Sequence, residues 1–305
     1  MDKRLTRTEM LFSLGFLFML ICAVGAFFYG VKIGTDRTEE RFAPSEPAAV
    51  KSGVRDIAYQ QQDLVSFYHT VFLPFREFVT EWQAAVGKIG SGQTTDPSSA
   101  FRELSSLAQD SYAEVMKAEA APANSPLLGS AQNNLLKSLK LFGQAADRQV
   151  NGANALKPAL LLDQLAKDAY YKEAVSLSVQ AQQMYYASML KWSASVDPDL
   201  PGDFDSSEGL DLATWKKLSL VIKLKVMADT LEERRLLTGY YPQDLAARLD
   251  QFIASGQPAK LGVKTVQAAV DLLLGTDAVR PGDFSANRTR FYADELLPQL
   301  PFFIS

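Results

Sequence analysis

The sequence predicts an all-α protein with a single transmembrane helix, a four-helix bundle and a smaller C-terminal helical subdomain. Three observations lead to this fold class. A long apolar run without a charged residue lies near the N-terminus, and apolar residues recur every three or four positions through most of the remaining chain. Helix start signals divide that remainder into separate segments. With 305 residues, the chain is long enough to bury a substantial core.

The apolar run extends from Leu11 to Val31. About twenty apolar residues span the hydrocarbon core of a bilayer, and this run is longer than the hydrophobic region of a typical cleaved signal peptide. We therefore expect an uncleaved signal-anchor that makes the lipid bilayer a partner. Cleavage after Gly25 or Ala26 is the alternative. The basic residues that precede the run, as in exported proteins, are Lys3, Arg4 and Arg7.

The orientation of the anchor depends on its flanking charges. Lys32, Arg37 and Arg41 follow the run, so the three basic residues after it equal the three before it. The short N-terminal tail favours a cytoplasmic N-terminus. We therefore expect a single-pass cell-membrane protein of the cell envelope with an extracytoplasmic body.

Small residues recur every four positions along the run. Small residues are common in transmembrane helices, and we expect this stripe to reflect that general preference. The alternative is a weak homodimer through the span, because such a stripe lets a second helix approach closely. The residues of this stripe are Cys22, Ala26, Gly30 and Gly34.

Changes in composition divide the chain into five parts. Residues 1–10 form a short basic tail, residues 11–33 the anchor, and residues 34–53 a polar linker with Pro44 and Pro47. We expect the four-helix bundle over residues 54–196 and the C-terminal helical subdomain over residues 197–305.

Four helices account for the predicted bundle. Asp96-Pro97, Ser125-Pro126 and Pro158 each open a helix, because an N-cap residue or a proline in the first turn favours helix initiation. The fourth helix is expected to run without a break to Val196. Pro74 should kink the first helix. The apolar seam of the first helix consists of Leu64, Phe67, Val71, Phe75, Phe78, Trp82, Ala85 and Ile89.

The C-terminal part contains shorter helical segments. Residues 212–231 are largely apolar and predict a buried helix, while Pro242, Thr265 and the region near Ser285 mark further helix starts.

An acidic loop separates the two parts. Residues 197–208, DPDLPGDFDSSE, resemble in their spacing a calcium loop, but Pro201 replaces a ligand. The motif Pro-Gly-Asp-Phe at 201–204 recurs at 281–284, where the other ligand positions are missing. The two copies therefore favour a turn with a buried Phe before a helix, with calcium binding as the alternative.

Residue counts limit the chemistry that the body can perform. The only cysteine, Cys22, lies in the apolar run, and the only histidine, His69, lies in an apolar helical segment. A Ser-His-Asp triad would have to use His69, and a metal site would lack thiolates. The net charge of −4, without a basic run longer than two residues, argues against nucleic acid as a partner. We assign no catalytic, cofactor-binding or metal-binding residue and expect no cofactor.

Two further groups of residues have alternative interpretations. His69 is expected to be a satisfied or partly exposed histidine, and alternatively a ligand or a pH-sensitive residue. The tyrosine pairs at 170–171, 185–186 and 240–241, with Trp82, Trp192 and Trp215, are expected in the core and alternatively line a binding groove.

The sequence therefore favours a non-enzymatic, membrane-anchored interaction or scaffold module whose body binds a protein or the cell wall. One alternative is a ligand-binding, sensor-like bundle that acts through a partner. A second is a hydrolase that uses carboxylates alone or carboxylates with bound calcium. The residues of that site would be Asp197, Asp199, Asp203, Asp205 and Glu208.

Overall fold

The computed structural model describes residues 58–205 and 209–304. Over these residues the chain is helical and contains no strand, only an isolated bridge between Asp211 and Thr265. The prediction of an all-α body is therefore confirmed. No helix within 58–205 or 209–304 is both long and apolar enough to cross a membrane. The predicted anchor at 11–33, its small-residue stripe, the basic tail and the linker lie outside the described residues.

The first predicted helix is formed by three consecutive segments. Helix α1 (Gln61–Phe67) continues through a π-helical stretch (Tyr68–Phe72) into α2 (Leu73–Gly90). Pro74 is the second residue of α2, two positions after the end of the π-helical stretch, and has no N–H for a helical hydrogen bond. A π-helical turn is one way in which a helix absorbs such an irregularity. The irregularity predicted at Pro74 therefore takes this form.

The next two helices begin where the sequence predicts. Helix α3 (Pro97–Met116) begins after Asp96, whose Oδ1 accepts a hydrogen bond from the Ser99 N–H at 3.1 Å. Helix α4 (Pro126–Val150) begins after Ser125, but this hydroxyl caps no helical N–H. Its oxygen instead accepts a hydrogen bond from the Tyr59 N–H at 2.9 Å and so ties the start of α4 to the segment before α1.

The predicted fourth helix is interrupted at Asp168. Helix α5 (Pro158–Lys167) ends there, and α6 (Ala169–Val196) begins directly after it. Oδ1 of Asp168 accepts hydrogen bonds from the N–H groups of Tyr170 and Tyr171 at 2.8 and 3.1 Å. Asp168 is thus an N-cap inside a segment whose apolar periodicity continues on both sides. The prediction of an unbroken helix from Pro158 to Val196 was wrong for this reason.

The C-terminal part consists of shorter helices. The segment predicted as one buried helix divides into α7 (Leu212–Trp215) and α8 (Leu220–Glu233), because residues 216–219 turn the chain. The N–H of Leu220 donates to Oε1 of Glu295 at 2.9 Å, so a distant side chain caps α8. The remaining helices are α9 (Pro242–Ala254), α10 (Gln257–Leu261), α11 (Val266–Gly275), α12 (Asp283–Phe291) and α13 (Pro301–Ile304).

The helices pack as a bundle around one continuous core. Helix α4 contacts α3 and α6, α3 also contacts α2, and α8 lies against both α6 and α9. Buried apolar side chains form a single cluster that runs from Tyr59 to Phe303. Residues 58–205 and 209–304 belong to one compact unit. Helices of the predicted bundle and of the C-terminal part therefore share their core.

A buried carboxylate joins the C-terminal helices. The Asp250 side chain accepts hydrogen bonds from Nε1 of Trp215 at 2.7 Å, from Nζ of Lys223 at 2.9 Å and from the hydroxyl of Tyr292 at 2.6 Å. All four side chains are buried. Burial, assisted by the charge of Asp250, raises the pKa of Tyr292 well above its usual range, so this tyrosine remains a neutral donor.

The Glu295 carboxyl gives this region a measurable pH dependence. Burial raises the pKa of Glu295 above its usual 4.5. The Glu295 carboxyl therefore binds a proton more tightly in the folded state than in the unfolded state. Its contribution to the free energy of unfolding falls as pH rises above about 4.5.

We therefore expect Glu295→Gln to gain stability relative to the wild type as pH rises from 4.5 to 7, because glutamine keeps the acceptor for Leu220 without the charge. Urea unfolding at several pH values measures the difference. Glu173→Gln, at an exposed position of α6, is the matched control and should show no such trend. A difference that stays constant over this range would contradict the prediction.

Candidate functional site

Two carboxylates of the acidic loop accept hydrogen bonds from backbone N–H groups of the same loop. Oδ1 of Asp197 accepts a hydrogen bond from the Asp199 N–H at 3.1 Å, and Oδ1 of Asp203 accepts one from the Phe204 N–H at 2.8 Å. Asp203 also lies 3.7 Å from Nζ of Lys225. Glu208 lies outside the described residues. Among the residues that are described, no three His, Cys, Asp or Glu side chains form a group that could hold a metal ion.

The two Pro-Gly-Asp-Phe segments differ in structure. In the second, Gly282 has a positive φ of 90°, Phe284 is buried, and α12 begins at Asp283, as the turn interpretation predicts. Oδ1 of Asp244 accepts hydrogen bonds from the N–H groups of Gly282 and Phe284 at 3.0 and 3.1 Å. In the first, Phe204 is only half-buried. The motif therefore forms an anchored turn at 281–284, where Asp244 holds it.

The other residues singled out by the sequence occupy ordinary positions. His69 is exposed in the π-helical stretch, with its ring 5.0 Å from that of Tyr68. Among the aromatic residues, Tyr185 and Tyr186 are fully buried, and their hydroxyls donate to Leu64 O and Gln243 Oε1. Most of the aromatic residues are thus core, as expected, but Tyr241 lines a cavity.

That cavity contains the candidate functional site, and its central residue is Arg76. Arg76 lies on α2 four residues after the buried Phe72 and three before the buried Val79, so the helix directs its side chain inward. Only 3% of its surface is exposed. The guanidinium lies over the ring of Tyr241, with 4.4 Å between Cζ and the ring centroid.

Two backbone carbonyls hold the guanidinium in place. Nη2 of Arg76 donates to the carbonyl oxygens of Gly239 and Tyr240 at 3.0 and 3.2 Å. These carbonyls belong to the short segment between α8 and α9. The segment is itself fixed to α2, because Nε2 of Gln83 donates to the Leu237 carbonyl at 3.0 Å. The position of Arg76 is therefore determined by the fold.

The charge of Arg76 has no counter-ion in the described structure. Nε and Nη1 are buried and have no hydrogen-bond acceptor among residues 58–205 and 209–304. No described carboxylate lies within ion-pair distance of the guanidinium, in contrast to Lys223 and Asp250. A buried cation without an anion is costly, because the interior screens charge poorly.

The cavity beside Arg76 has a volume of about 220 Å³. Its wall combines the apolar surfaces of Leu73 and Tyr241 with the exposed carboxylates of Glu77 and Glu81. Burial, followed by the charges of Tyr241 and Glu77, raises the pKa of Tyr68 to about 12, so Tyr68 contributes no charge at neutral pH.

This arrangement can bind an anion. Guanidinium N–H groups are strong donors to carboxylate oxygens, and such charge-assisted hydrogen bonds are stronger than those between neutral groups. An anionic group that reached Nε or Nη1 would provide the missing acceptor and counter-charge.

Sequence reasoning missed Arg76, although one signal was present. The positions Phe72, Arg76 and Val79 follow helical spacing, so an arginine lies between two apolar residues on the inner face of the helix. The cavity wall was beyond sequence reasoning, because the carbonyls that hold Arg76 lie more than 160 residues later in the chain. Comparisons with protein-family models, with curated proteins and with solved structures found no match for this chain.

Proposed function

We propose that this protein is a non-enzymatic, single-pass membrane-anchored helical module of the cell envelope that acts by binding. In this proposal an anchor at residues 11–33 carries a four-helix bundle (54–196) and a smaller C-terminal helical subdomain (197–305). The charge-free apolar run supports the anchor, and the helical body supports the rest. The N-terminus is cytoplasmic, the body faces a protein partner or the cell wall, and the span forms at most a weak homodimer.

The observation that carries the binding role is the buried guanidinium of Arg76 beside a cavity, which has no counter-ion in the described part of the chain. Interaction by surface complementarity alone needs no buried cation. A ligand-binding body that acts through a partner uses a buried cation directly. The free energy gained when an anionic group of the ligand pairs with the cation becomes binding free energy. The sensor-like function is thus favoured over a purely structural scaffold, and the ligand carries an anionic group.

Anion binding is testable with butanoate as the probe. We expect NMR-detected titration of the purified full chain to show saturable binding of butanoate, and Arg76→Gln to weaken it at least about tenfold through loss of the charge-assisted hydrogen bonds. Arg102→Gln, at an exposed position of α3, is the matched control and should bind as the wild type does. Equal binding by the wild type and Arg76→Gln, or no saturable binding by the wild type, would refute the site.

Membrane anchoring is tested separately. We expect the full chain to remain in the membrane fraction after alkaline extraction and a variant lacking residues 11–31 to become extractable, because the deletion removes the apolar segment. Protease added to intact cells should degrade the body. A full chain that leaves the membrane at alkaline pH would contradict the anchor, and a protected body in intact cells would contradict the orientation.

A further inference from the structure

We infer that the ligand of the Arg76 cavity is a zwitterion, whose carboxylate meets the guanidinium of Arg76 while its cationic group faces Glu77 and Glu81. This inference rests on the proposed binding function and specifies the chemical class of its ligand. It follows from the charges that line the cavity, from the groove next to it and from the apolar part of its wall.

The charges in the cavity are of both signs. Arg76 provides one buried cation, and Glu77 and Glu81 provide two exposed carboxylates in the same wall. A multiply charged anion such as phosphate would meet both carboxylates and be repelled. A ligand with one carboxylate and one cationic group matches both signs and adds no net charge to the site.

The neighbouring groove extends the acidic side of the site. A depression of about 410 Å³ lies between α2 and α3, and Glu81 lines both this groove and the Arg76 cavity. The other charged residues described along it are Glu103 and Asp110, so all three are carboxylates. The cationic part of a ligand therefore finds complementary charge beyond the cavity itself.

The apolar wall suits the hydrocarbon part of such a ligand. Leu73 and the ring of Tyr241 lie beside Arg76 and can cover methylene groups between the two charges. The chemistry needed is thus a carboxylate, a short apolar spacer and an ammonium or guanidinium group. Free amino acids with a cationic side chain and peptide carboxyl termini that end in lysine or arginine both have it.

A matched series of three probes tests each charge on the purified full chain. 4-Aminobutanoate carries both charges, butanoate only the carboxylate and butylamine only the cation. We expect 4-aminobutanoate to bind about fivefold more tightly than butanoate, the upper end of the gain that an exposed ion pair provides, because two carboxylates face the cationic group. Butylamine carries no carboxylate, so any saturable binding that it shows should remain in Arg76→Gln.

Variants assign the cationic half of the site. The double substitution Glu77→Gln and Glu81→Gln should reduce the binding of 4-aminobutanoate to that of butanoate and leave butanoate no weaker than before. Both positions are exposed, so the fold is retained. Glu173→Gln, an exposed carboxylate of α6 outside the cavity, is the control and should preserve the fivefold preference.

The outcomes separate this inference from the proposed function. If butanoate binds as tightly as 4-aminobutanoate, the zwitterion is wrong while anion binding at Arg76 stands. If neither binds, both fail. Lysine and the tripeptide Ala-Ala-Lys distinguish the two sources. If the tripeptide binds more tightly than both its carboxyl-terminal amide and lysine, the ligand is a peptide terminus. If lysine binds more tightly than the tripeptide, the ligand is a free amino acid.

Discussion

Asp250→Ala is expected to lower the free energy of unfolding by about 3 to 5 kcal/mol, the usual consequence of removing one member of a buried ion pair. Lys223 would keep a buried ammonium group with no other carboxylate of residues 58–205 and 209–304 within ion-pair distance. Trp215 and Tyr292 would each lose a hydrogen-bond acceptor as well. Urea unfolding followed by the fluorescence of Trp215 and the other tryptophans measures the loss.

The matched control is an ion pair on the surface. Asp163 and Lys167 lie 2.7 Å apart on α5, and both side chains are more than half exposed. Asp163→Ala should therefore change stability by no more than about 0.5 kcal/mol, because water screens the pair. Similar losses for Asp250→Ala and Asp163→Ala would show that the buried network contributes little to stability.

Phe142→Ala is expected to cost about 3 to 5 kcal/mol, as large-to-small substitutions in a packed core do. Phe142 belongs to α4 and is 1% exposed. Its ring centroid lies 5.2 Å from that of Phe78 and 4.8 Å from that of Trp82, both on α2, and 5.8 Å from that of Tyr171 on α6. One substitution therefore opens a cavity where three helices meet.

A conservative variant separates cavity formation from general disturbance. Phe142→Leu keeps most of the volume and should cost less than half as much as Phe142→Ala. Thermal unfolding with near-ultraviolet circular dichroism reports both stability and the environment of Trp82. Equal losses for the two variants would mean that ring geometry, and not volume, determines stability at this position.

The sequence predicted the helices well wherever local chemistry decides. Asp96 and Thr265 accept hydrogen bonds from the N–H groups three residues later, and Pro242 opens α9 as expected. These signals act over a single turn, so they are visible in the sequence.

The errors arose where distant parts of the chain compete with local signals. Asp168 interrupts an apolar pattern that continues on both sides, and its carboxylate lies 3.2 Å from Nε of Arg148 on α4. Glu295 caps α8 from 75 residues away. The acidic loop stands out in the sequence by its composition, whereas the contacts of Arg76 with the carbonyls of Gly239 and Tyr240 correspond to no periodicity in the sequence. Local patterns therefore located the helices but not the site.

The packing of the last described helix has a consequence for biosynthesis. Phe302 of α13 lies with its ring centroid 5.2 Å from that of Tyr68, next to the first helix, and 5.6 Å from that of Tyr241. Tyr68 can therefore complete its native contacts only after the ribosome has synthesised residue 302. Until then, early helices expose apolar surface that attracts chaperones and favours aggregation. A nascent body of this topology therefore completes its core late, when its last described helix packs against its first.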